Sequence, residues 1–406
     1  MMSESSDKSS KSEDKTEEKE VKKNKEKKEE SLSIEDRYIA TMVLHAVGDT
    51  VGYKNAEWEF KGGSYESLEK LYEFIDLGGV NNISLKGWLV SDDTIMHMKT
   101  AQAILKDFTS MNTFGNNLKE EFLEAYDQFL KEGLTVRYPG ISTLSSLKLL
   151  KEGSSWSEIP YNIDSGGSGA SMRSLCFGLA FPGLENRDKL IQFAIESGRM
   201  TNNSAVGYLG AVASALFVAL AIEGIKINEW PFTLMDLFKS GRITKYMRTA
   251  GRDFSDYERD HHVFVSKWHR YIDDKFDDNH NPIIKKSSRH LISRNKYYMD
   301  TFGQKRTYTN QQYSEELGHG NIGSGGDDSV IIAYDCLLDS GNVWEKLVVY
   351  SMLHNGDTDT TGSIAAGLYG VLYGFSDIPV NFLENLEYKD ELISLGKRLF
   401  SKFYKS

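Results

Sequence analysis

Cysteine and proline are scarce in this chain. Of its 406 residues only two are cysteine, Cys176 and Cys336, and neither lies in a CxxC pair or near clustered histidines. A disulfide framework and a structural zinc site are therefore not expected, and the reducing cytoplasm is the simplest location. Only six prolines interrupt the chain, and alternating strand patterns bounded by hairpin turns are few. These absences favour an all-α fold.

Positive charge is also in short supply. The chain has 48 lysines and arginines against 59 aspartates and glutamates, a formal net charge of −11. Because an acidic surface repels polyanions, we expect no nucleic-acid partner, although a local pocket could still hold a small phosphate ligand. Residues 1–31 are rich in serine, lysine and glutamate and lack the apolar stretch of a secretion signal. They predict a disordered charged tail ahead of one domain, residues 32–406.

One long apolar run could be mistaken for a membrane span. Ala205–Ile222 carries no charge and is about as long as a bilayer-crossing helix needs to be. Its small residues, among them Gly207 and Gly210, would let neighbouring helices approach closely, and no aromatic belt or polybasic flank follows. We therefore expect a buried core helix and no membrane partner.

Apolar residues recur at helical spacing through most of the chain. Helices are predicted over residues 34–47, with Ser33 as N-cap, and over 94–108, 118–130, 189–197, 343–353 and 363–373. Residues 225–317 are polar and rich in aromatics, and they predict an irregular insertion or lid.

Two acidic clusters lie far apart in sequence. The first is Ser91-Asp92-Asp93-Thr94, and the second runs from His354 to Thr361 and includes Asp357 and Asp359. Each precedes an apolar helical pattern, and an acidic cap worth ~0.3–1 kcal/mol would explain the first cluster alone. The second cluster is harder to explain in this way, because one acidic cap suffices for one helix. Two such clusters of carboxylates and hydroxyls also suit Mg²⁺ or Mn²⁺, because a hard cation offsets the repulsion between like charges. We expect them to converge on one or two metal ions.

Glycine is concentrated in two further segments. Residues 164–173 read DSGGSGASMR, and a helix is predicted to start after them. Exposed backbone N–H groups there could hold phosphate, although a flexible loop explains the glycines alone equally well. Residues 318–323 match GxGxxG but follow a polar segment rather than a strand, so we expect a mobile loop lining a pocket and not a dinucleotide site.

Several motifs, taken in order, resemble those of the ADP-ribosylglycohydrolases. They are Gly48-Asp49-Thr50-Val51-Gly52, SDDTIMHMKTAQAIL at 91–105, GGSGASMR at 166–173, ESGRMT at 196–201, GYLGAVASALF at 207–217 and HNGDTDTT at 354–361. The resemblance runs from residue 36 to the end and is greatest to the hydrolases that act on ADP-ribosylarginine.

The resemblance implies a compact all-helical domain with a binuclear metal site, two Mg²⁺ or Mn²⁺ ions, and release of ADP-ribose from arginine side chains of modified proteins. Its metal ligands would be Ser91, Asp92, Asp93, Asp357, Asp359 and Thr360, and Asp92 or Asp93 would handle the nucleophilic water. Substrate contacts would come from Asp49, Ser165, Gly166, Gly167, Ser168, Gly169 and Asn202. Relatives commonly carry histidine where this chain has Asn202. The acidic ligands missing from inactive relatives are all present, so we expect an active enzyme, working as a monomer on ADP-ribosylated proteins.

Three alternatives stay open at this stage. Relatives acting on serine-linked ADP-ribose carry a glutamate shortly after GD-x-x-G, and here residues 53–59, YKNAEWE, resemble the arginine type. A non-catalytic ADP-ribose-binding module would need the pocket without turnover. Asp357-Thr358-Asp359-Thr360-Thr361 also fits the DxDxT pattern of phosphatases of the haloacid dehalogenase type, but only 45 residues follow it, too few for the rest of that fold.

Overall fold

A computed structural model describes residues 32–60, 64–303, 308–309, 312–313 and 322–404. The predicted tail and most of the GxGxxG segment lie outside these residues. Nineteen α-helices account for most of the described chain. The first ten are α1 Ile34–Tyr53, α2 Ser64–Asp76, α3 Gly79–Asn82, α4 Asp92–Leu105, α5 Met111–Glu132, α6 Leu134–Arg137, α7 Ile141–Lys151, α8 Leu175–Ala180, α9 Arg187–Arg199 and α10 Ala205–Ile222.

The remaining nine helices complete the domain. They are α11 Trp230–Lys239, α12 Arg242–Ala250, α13 Phe254–Lys275, α14 Leu291–Phe302, α15 Ser329–Ser340, α16 Trp344–Met352, α17 Thr358–Tyr373, α18 Asn381–Glu384 and α19 Lys389–Phe403. A two-residue antiparallel ribbon pairs β1, Tyr308–Thr309, with β2, Gln312–Tyr313, in the register Tyr308 opposite Tyr313. The all-α prediction is confirmed.

The helices predicted from periodicity are present, and their ends differ by a few residues. Ser33 is the N-cap of α1, where its Oγ accepts a hydrogen bond from the backbone N–H of Asp36 at 3.0 Å. The predicted core helix coincides with α10. That helix meets the length and composition of a membrane span, and 94% of it is buried inside the protein. Cys176 and Cys336 are both free thiols, as the missing disulfide pattern predicts.

Glycine lets the two central helices, α1 and α17, cross at close range. A Cβ atom on Gly48 would lie 2.1 Å from the carbonyl oxygen of Gly362, and one on Gly52 would lie 2.0 Å from that of Thr358. Both distances are far below van der Waals contact, so only glycine fits at these crossings. The crossing brings the GD-x-x-G motif of α1 beside the second acidic cluster.

The prediction of an irregular insertion over residues 225–317 is wrong for its described part. That part contains four helices of nine residues or more, α11 to α14. Its aromatic residues suggest loop composition in sequence, but on α13 they follow helical spacing and are buried: Tyr257, Phe264, Trp268 and Tyr271.

A buried ionic cluster fixes the same region onto the core. Arg294 on α14 donates to Asp335 and, at 2.5 Å, to Asp339, both on α15. Lys275 on α13 pairs with the same two carboxylates at 2.7 Å each. These contacts join residues separated widely in sequence, which periodicity alone does not reveal.

Candidate active site

The two acidic clusters form the N-termini of two helices. Ser91 caps α4, and its Oγ accepts from the backbone N–H of Asp93 at 3.1 Å. Asp357 caps α17 and accepts from the N–H of Thr360 at 3.3 Å. A direct bond links the helices, because Ser363 Oγ on α17 donates to Asp93 Oδ2 at 3.0 Å. The acidic caps therefore face one another across a single site.

Asp49 lies behind the first cluster and holds its backbone. Its carboxylate accepts from the N–H groups of Ser91 and Thr94, each at 3.0 Å, and from the hydroxyl of Thr94. Burial raises the pKa of Asp49 to about 7, with the charge of Asp359 as the second cause. Asp49 and Ser91 are fully buried and do not line the cavity in front of the acidic clusters.

A cavity of about 390 Å³ lies between the acidic clusters and the glycine-rich loop. Five acidic side chains line it, together with small polar residues and a rim of apolar ones, and none of its described lining residues is lysine or arginine. The acidic set is Glu59, Asp92, Asp93, Asp357 and Asp359.

Burial and mutual repulsion dominate the electrostatics of this cavity. Burial raises the pKa values of Asp92, Asp93 and Asp357 well above their usual range, and the charge of Asp359 raises them further. The same two causes raise the pKa of Glu59 to about 10. Such a set is costly to ionise without a compensating cation, and all-oxygen ligands suit a hard divalent ion.

The carboxylate and hydroxyl oxygens that line the cavity are of the chemical type that binds a divalent metal ion. Among the described residues, no three Asp, Glu, His or Cys side chains already stand in ligand geometry around one point. The fit therefore rests on the type and number of oxygen donors that line the cavity, Asp92, Asp93, Asp357 and Asp359 among them.

The glycine-rich loop forms the opposite wall of the cavity. Gly167, Ser168 and Gly169 line it, whereas Ser165 and Gly166 do not. The loop is fixed by the backbone bond from the Ser168 N–H to the Ser324 carbonyl, 2.8 Å. Ser168 Oγ lies 3.5 Å from both Asp357 Oδ2 and Thr360 Oγ1, so the loop contacts the second acidic cluster directly.

The helix predicted to start after this loop is confirmed. Within the loop, Ser168–Ala170 form a three-residue 3₁₀ turn, and α8 starts at Leu175. Arg173 keeps the turn from running on into α8, because its buried guanidinium donates to the Gly169 carbonyl. In a continuing α-helix that carbonyl would instead accept from the backbone N–H of Arg173.

The family model that matches this chain is that of the ADP-ribosylglycohydrolases, and it covers residues 30–406. The chain belongs to the ADP-ribosylglycohydrolase family. Membership makes it a hydrolase of ADP-ribosylated substrates, with ADP-ribose as product.

Individual relatives agree with the family model. A protein from Acanthamoeba polyphaga mimivirus, named as a candidate ADP-ribosyl glycohydrolase, L444, is 38% identical over 361 residues. The aligned region covers 86% of this chain and 66% of the viral protein, slightly under two thirds of its length. ADP-ribosylhydrolase ARH1 of Dictyostelium discoideum is 37% identical over 375 residues, which cover 88% of this chain and 92% of that protein.

A solved structure shares the fold of this ADP-ribosylglycohydrolase. It is described as an ADP-ribosylglycohydrolase-related protein complex, and it aligns with a TM-score of 0.52 at 17% identity. The alignment covers 91% of this chain and 98% of that one. At this identity the likeness confirms the architecture alone.

Asn202 occupies the position at which the family resemblance expects histidine. It lines the cavity, accepts from Thr201 Oγ1 at 2.7 Å and donates from Nδ2 to the Gly167 carbonyl at 3.4 Å. The side chain is thus bonded to the glycine-rich loop, and it faces the same cavity as the acidic residues.

Glu59 is the acidic lining residue that the predicted site set lacks. It lies in the segment after GD-x-x-G, where relatives cleaving serine linkages carry a glutamate, and that position is the signal that could have identified it. The rim residues Tyr138, Gly140 and Ile141 are also absent from the predicted set. Nothing in their sequence marks them, because a tertiary contact places them: the Asp92 carboxylate accepts from the N–H of Gly140.

Proposed function

We propose that this protein is a metal-dependent hydrolase that removes mono-ADP-ribose from arginine side chains of modified proteins. One observation carries the proposal: five carboxylates line a cavity that no described lysine or arginine side chain lines. Because no described lysine or arginine offsets the five carboxylates, this part of the lining would repel a diphosphate ligand, so a cation is needed before ADP-ribose can enter.

The residues that would hold two Mg²⁺ or Mn²⁺ ions are Ser91, Asp92, Asp93, Asp357, Asp359 and Thr360. When bound, such ions neutralise the carboxylates, orient the ribose hydroxyls and lower the pKa of water. Ser91 would have to contribute from behind the cavity wall, since its hydroxyl is bonded to the backbone of Asp93.

The protein's own groups would divide the remaining work. Gly167 would leave room for the diphosphate against the loop backbone, while Gly169 lets the Asn202 amide pack closely against the same loop. The acidic wall of Asp92, Asp93, Asp357 and Asp359 would face the ribose from the other side. This arrangement would hold the anomeric carbon in front of Asp92 and Asp93, and fixed orientation of the reactants supplies a large share of the rate.

Cleavage then follows ordinary hydrolysis. The bond between the anomeric carbon and the guanidino nitrogen breaks with its electron pair leaving on nitrogen, and the oxygen of water bonds to that carbon. The water proton passes to the carboxylate of Asp92 or Asp93, and a proton returns to the leaving guanidino nitrogen. The products are ADP-ribose and the unmodified arginine.

The name of the Dictyostelium relative, ADP-ribosylhydrolase ARH1, and the resemblance of residues 53–59 to the arginine type support arginine as the linkage. A specific observation favours serine-linked ADP-ribose as second candidate, because Glu59 lines the cavity. The phosphatase alternative lacks support, since the described residues contain no parallel sheet.

The linkage is tested with two defined peptides, one ADP-ribosylated on arginine and the other on serine. Both are incubated with the purified protein and Mg²⁺, and released ADP-ribose is measured. Faster release from the arginine peptide supports the proposal, whereas release from the serine peptide alone establishes the second candidate. Binding of ADP-ribose without release from either peptide would identify a binding module.

A further inference from the structure

Hydrogen bonds on both sides of Glu59 connect its segment to the turn at residues 354–356, which leads into the second acidic cluster. On one side of Glu59, the backbone N–H of Phe60 donates to the carbonyl of Gly356 at 2.9 Å. On the other side, the ammonium of Lys70 donates to two carbonyls, that of Trp58 at 2.6 Å and that of His354 at 2.7 Å. Trp58 and Phe60 flank Glu59, and His354 and Gly356 lie just before Asp357.

Lys70 is almost completely buried, at 3% exposure, on helix α2. Removing an ammonium from water costs several kcal/mol unless strong acceptors replace its hydration. Two of those acceptors are backbone carbonyls from separate segments, and charge-assisted bonds of this kind are stronger than neutral ones. The ammonium therefore draws the Trp58 segment and the His354 turn together.

The same helix holds the side chain of Trp58. Glu73 on α2 accepts from Trp58 Nε1 at 2.8 Å, and the indole packs edge-on against Phe74 and Trp88. Trp58 is 1% exposed, so both its side chain and its carbonyl are fixed. With Phe60 bonded on the other side, Glu59 has little backbone freedom.

We propose that Lys70 is a positioning residue, which bridges Trp58 and His354 and thereby holds Glu59 at a set place opposite the metal-binding aspartates. This inference rests on the proposed function, in which Glu59 and those aspartates share one substrate cavity. Lys70 itself does not line that cavity. Its effect on the reaction would pass through the two backbone segments that it joins.

The test compares Lys70→Met, which keeps the length of the side chain and removes the ammonium, with Lys70→Arg, which keeps a donor. Lys275→Met is the matched control, because Lys275 is a buried lysine in the ionic cluster of α13 and α15, away from the cavity. Each variant is assayed for hydrolysis of the arginine-linked peptide, for melting temperature, and for amide hydrogen exchange at Phe60.

We expect Lys70→Met to lower kcat by about 10- to 100-fold, because a small misplacement of the reacting groups can lower the reaction rate by that factor. The affinity for free ADP-ribose should change less, since the glycine-rich loop is untouched. Exchange at the Phe60 amide should accelerate, and Lys70→Arg should restore part of both losses. Lys275→Met should lower the melting temperature while leaving kcat of the folded protein within about twofold of the parent.

Phe60 exchange separates failure of this inference from failure of the proposed function. If the parent hydrolyses neither linkage, the proposed function fails, and accelerated exchange in Lys70→Met would still support the bridge. Unchanged exchange in Lys70→Met overturns the inference whatever the activity. The inference is also overturned if the loss of activity in Lys70→Met is no larger than its loss of folded protein, as expected for Lys275→Met. Lys70 would then have only a structural role.

Discussion

Carboxylates that cap helices elsewhere in proteins are here crowded into one cavity. At Asp357 the bond to a helix N-terminus offsets only a small part of the cost of burying the charge, and Asp92 is buried in the first turn of α4. Asp93 is likewise buried, and its carboxylate accepts a hydrogen bond from the hydroxyl of Ser363. The residues therefore carry a cost that helix capping alone does not explain, and binding of a cation would offset it.

Replacement of either Asp93 or Asp359 by asparagine should abolish hydrolysis while the fold persists. We expect activity to fall at least about 100-fold. Removal of a group that only hydrogen-bonds a metal ligand already lowers metal affinity or activity about 10- to 100-fold. Circular dichroism and Mn²⁺ titration give the fold and the ion affinity.

Asp390→Asn is the matched control, because Asp390 is an exposed carboxylate in the first turn of α19. A capping role would cost about 0.3–1 kcal/mol of stability at either site and no activity. Equal activity in Asp93→Asn and Asp390→Asn would show that the cavity carboxylates are caps only.

His45 supplies a pH-dependent part of the stability. Burial lowers its pKa from 6.5 to about 4, against the opposing bond to the Met172 carbonyl at 2.7 Å. The folded state thus favours neutral His45, and the resulting stability is present above pH 6.5 and lost as pH falls toward 4. Between pH 7.5 and 5.5 the parent should lose about 1 kcal/mol that His45→Gln does not lose.

Urea denaturation of both proteins across this pH range measures the difference. In His45→Gln the new amide can keep a donor to the Met172 carbonyl but cannot titrate. The exposed His262 provides the control, because His262→Gln should follow the parent. Parallel pH profiles for His45→Gln and the parent would mean that His45 titrates normally in the folded state.

Residue types and order were enough to mark half of the residues that line the cavity. Asp92, Asp93, Asp357, Asp359 and Thr360 are found on one cavity, although their role as ligands stays a prediction. Glu59 is marked only by its place after GD-x-x-G, and nothing in the sequence marks the rim residues Tyr138, Gly140 and Ile141. The Lys70 bond to the Trp58 carbonyl beside Glu59 and the Asp92 contact to Gly140 are tertiary contacts, which sequence patterns do not show.

Among the helices, periodicity predicted those of the core, including α16 and α17, and failed in the described part of residues 225–317. The core helices are strongly apolar, whereas α13 mixes buried aromatics with many charged residues. Its polar composition hid the helical spacing. The helix after the glycine-rich loop was predicted correctly: α8 begins at Leu175, and just before it the side chain of Arg173 bonds back to the Gly169 carbonyl.

The glycine-rich loop offers a substitution that should act on ligand and not on fold. A Cβ on Gly167 would meet Asn202 Nδ2 at 3.5 Å and the Ser324 carbonyl at 3.7 Å, which are ordinary contacts. Its φ of −67° and ψ of 169° suit valine. Gly167→Val should therefore fold normally, fill part of the cavity and weaken ADP-ribose binding by about tenfold or more.

Calorimetric titration with ADP-ribose and, separately, with Mn²⁺ measures both affinities in Gly167→Val and Asp359→Asn. The first variant should lose mainly ADP-ribose affinity and the second mainly Mn²⁺ affinity. ADP-ribose binding as tight in Gly167→Val as in the parent would place the diphosphate away from this loop.

At the scale of the whole molecule, the catalytic domain should not need the charged segment before it. The family model begins its match at residue 30. Deletion of residues 1–31 should leave both turnover and melting temperature unchanged, because the segment has almost no apolar side chains to dock on the core. Differential scanning fluorimetry and the hydrolysis assay check this, and a marked fall in melting temperature would show that the segment packs on the domain.

Two helix N-termini and a glycine-rich loop enclose one cavity, and we propose that a divalent cation bound there is required for ADP-ribose hydrolysis. This requirement is tested by release of ADP-ribose from an arginine-linked peptide by the full-length protein, measured with Mg²⁺, in excess chelator, and after Mg²⁺ is restored. We expect release with Mg²⁺ or Mn²⁺, none in chelator, and full recovery on restoration. Undiminished turnover in excess chelator would contradict it.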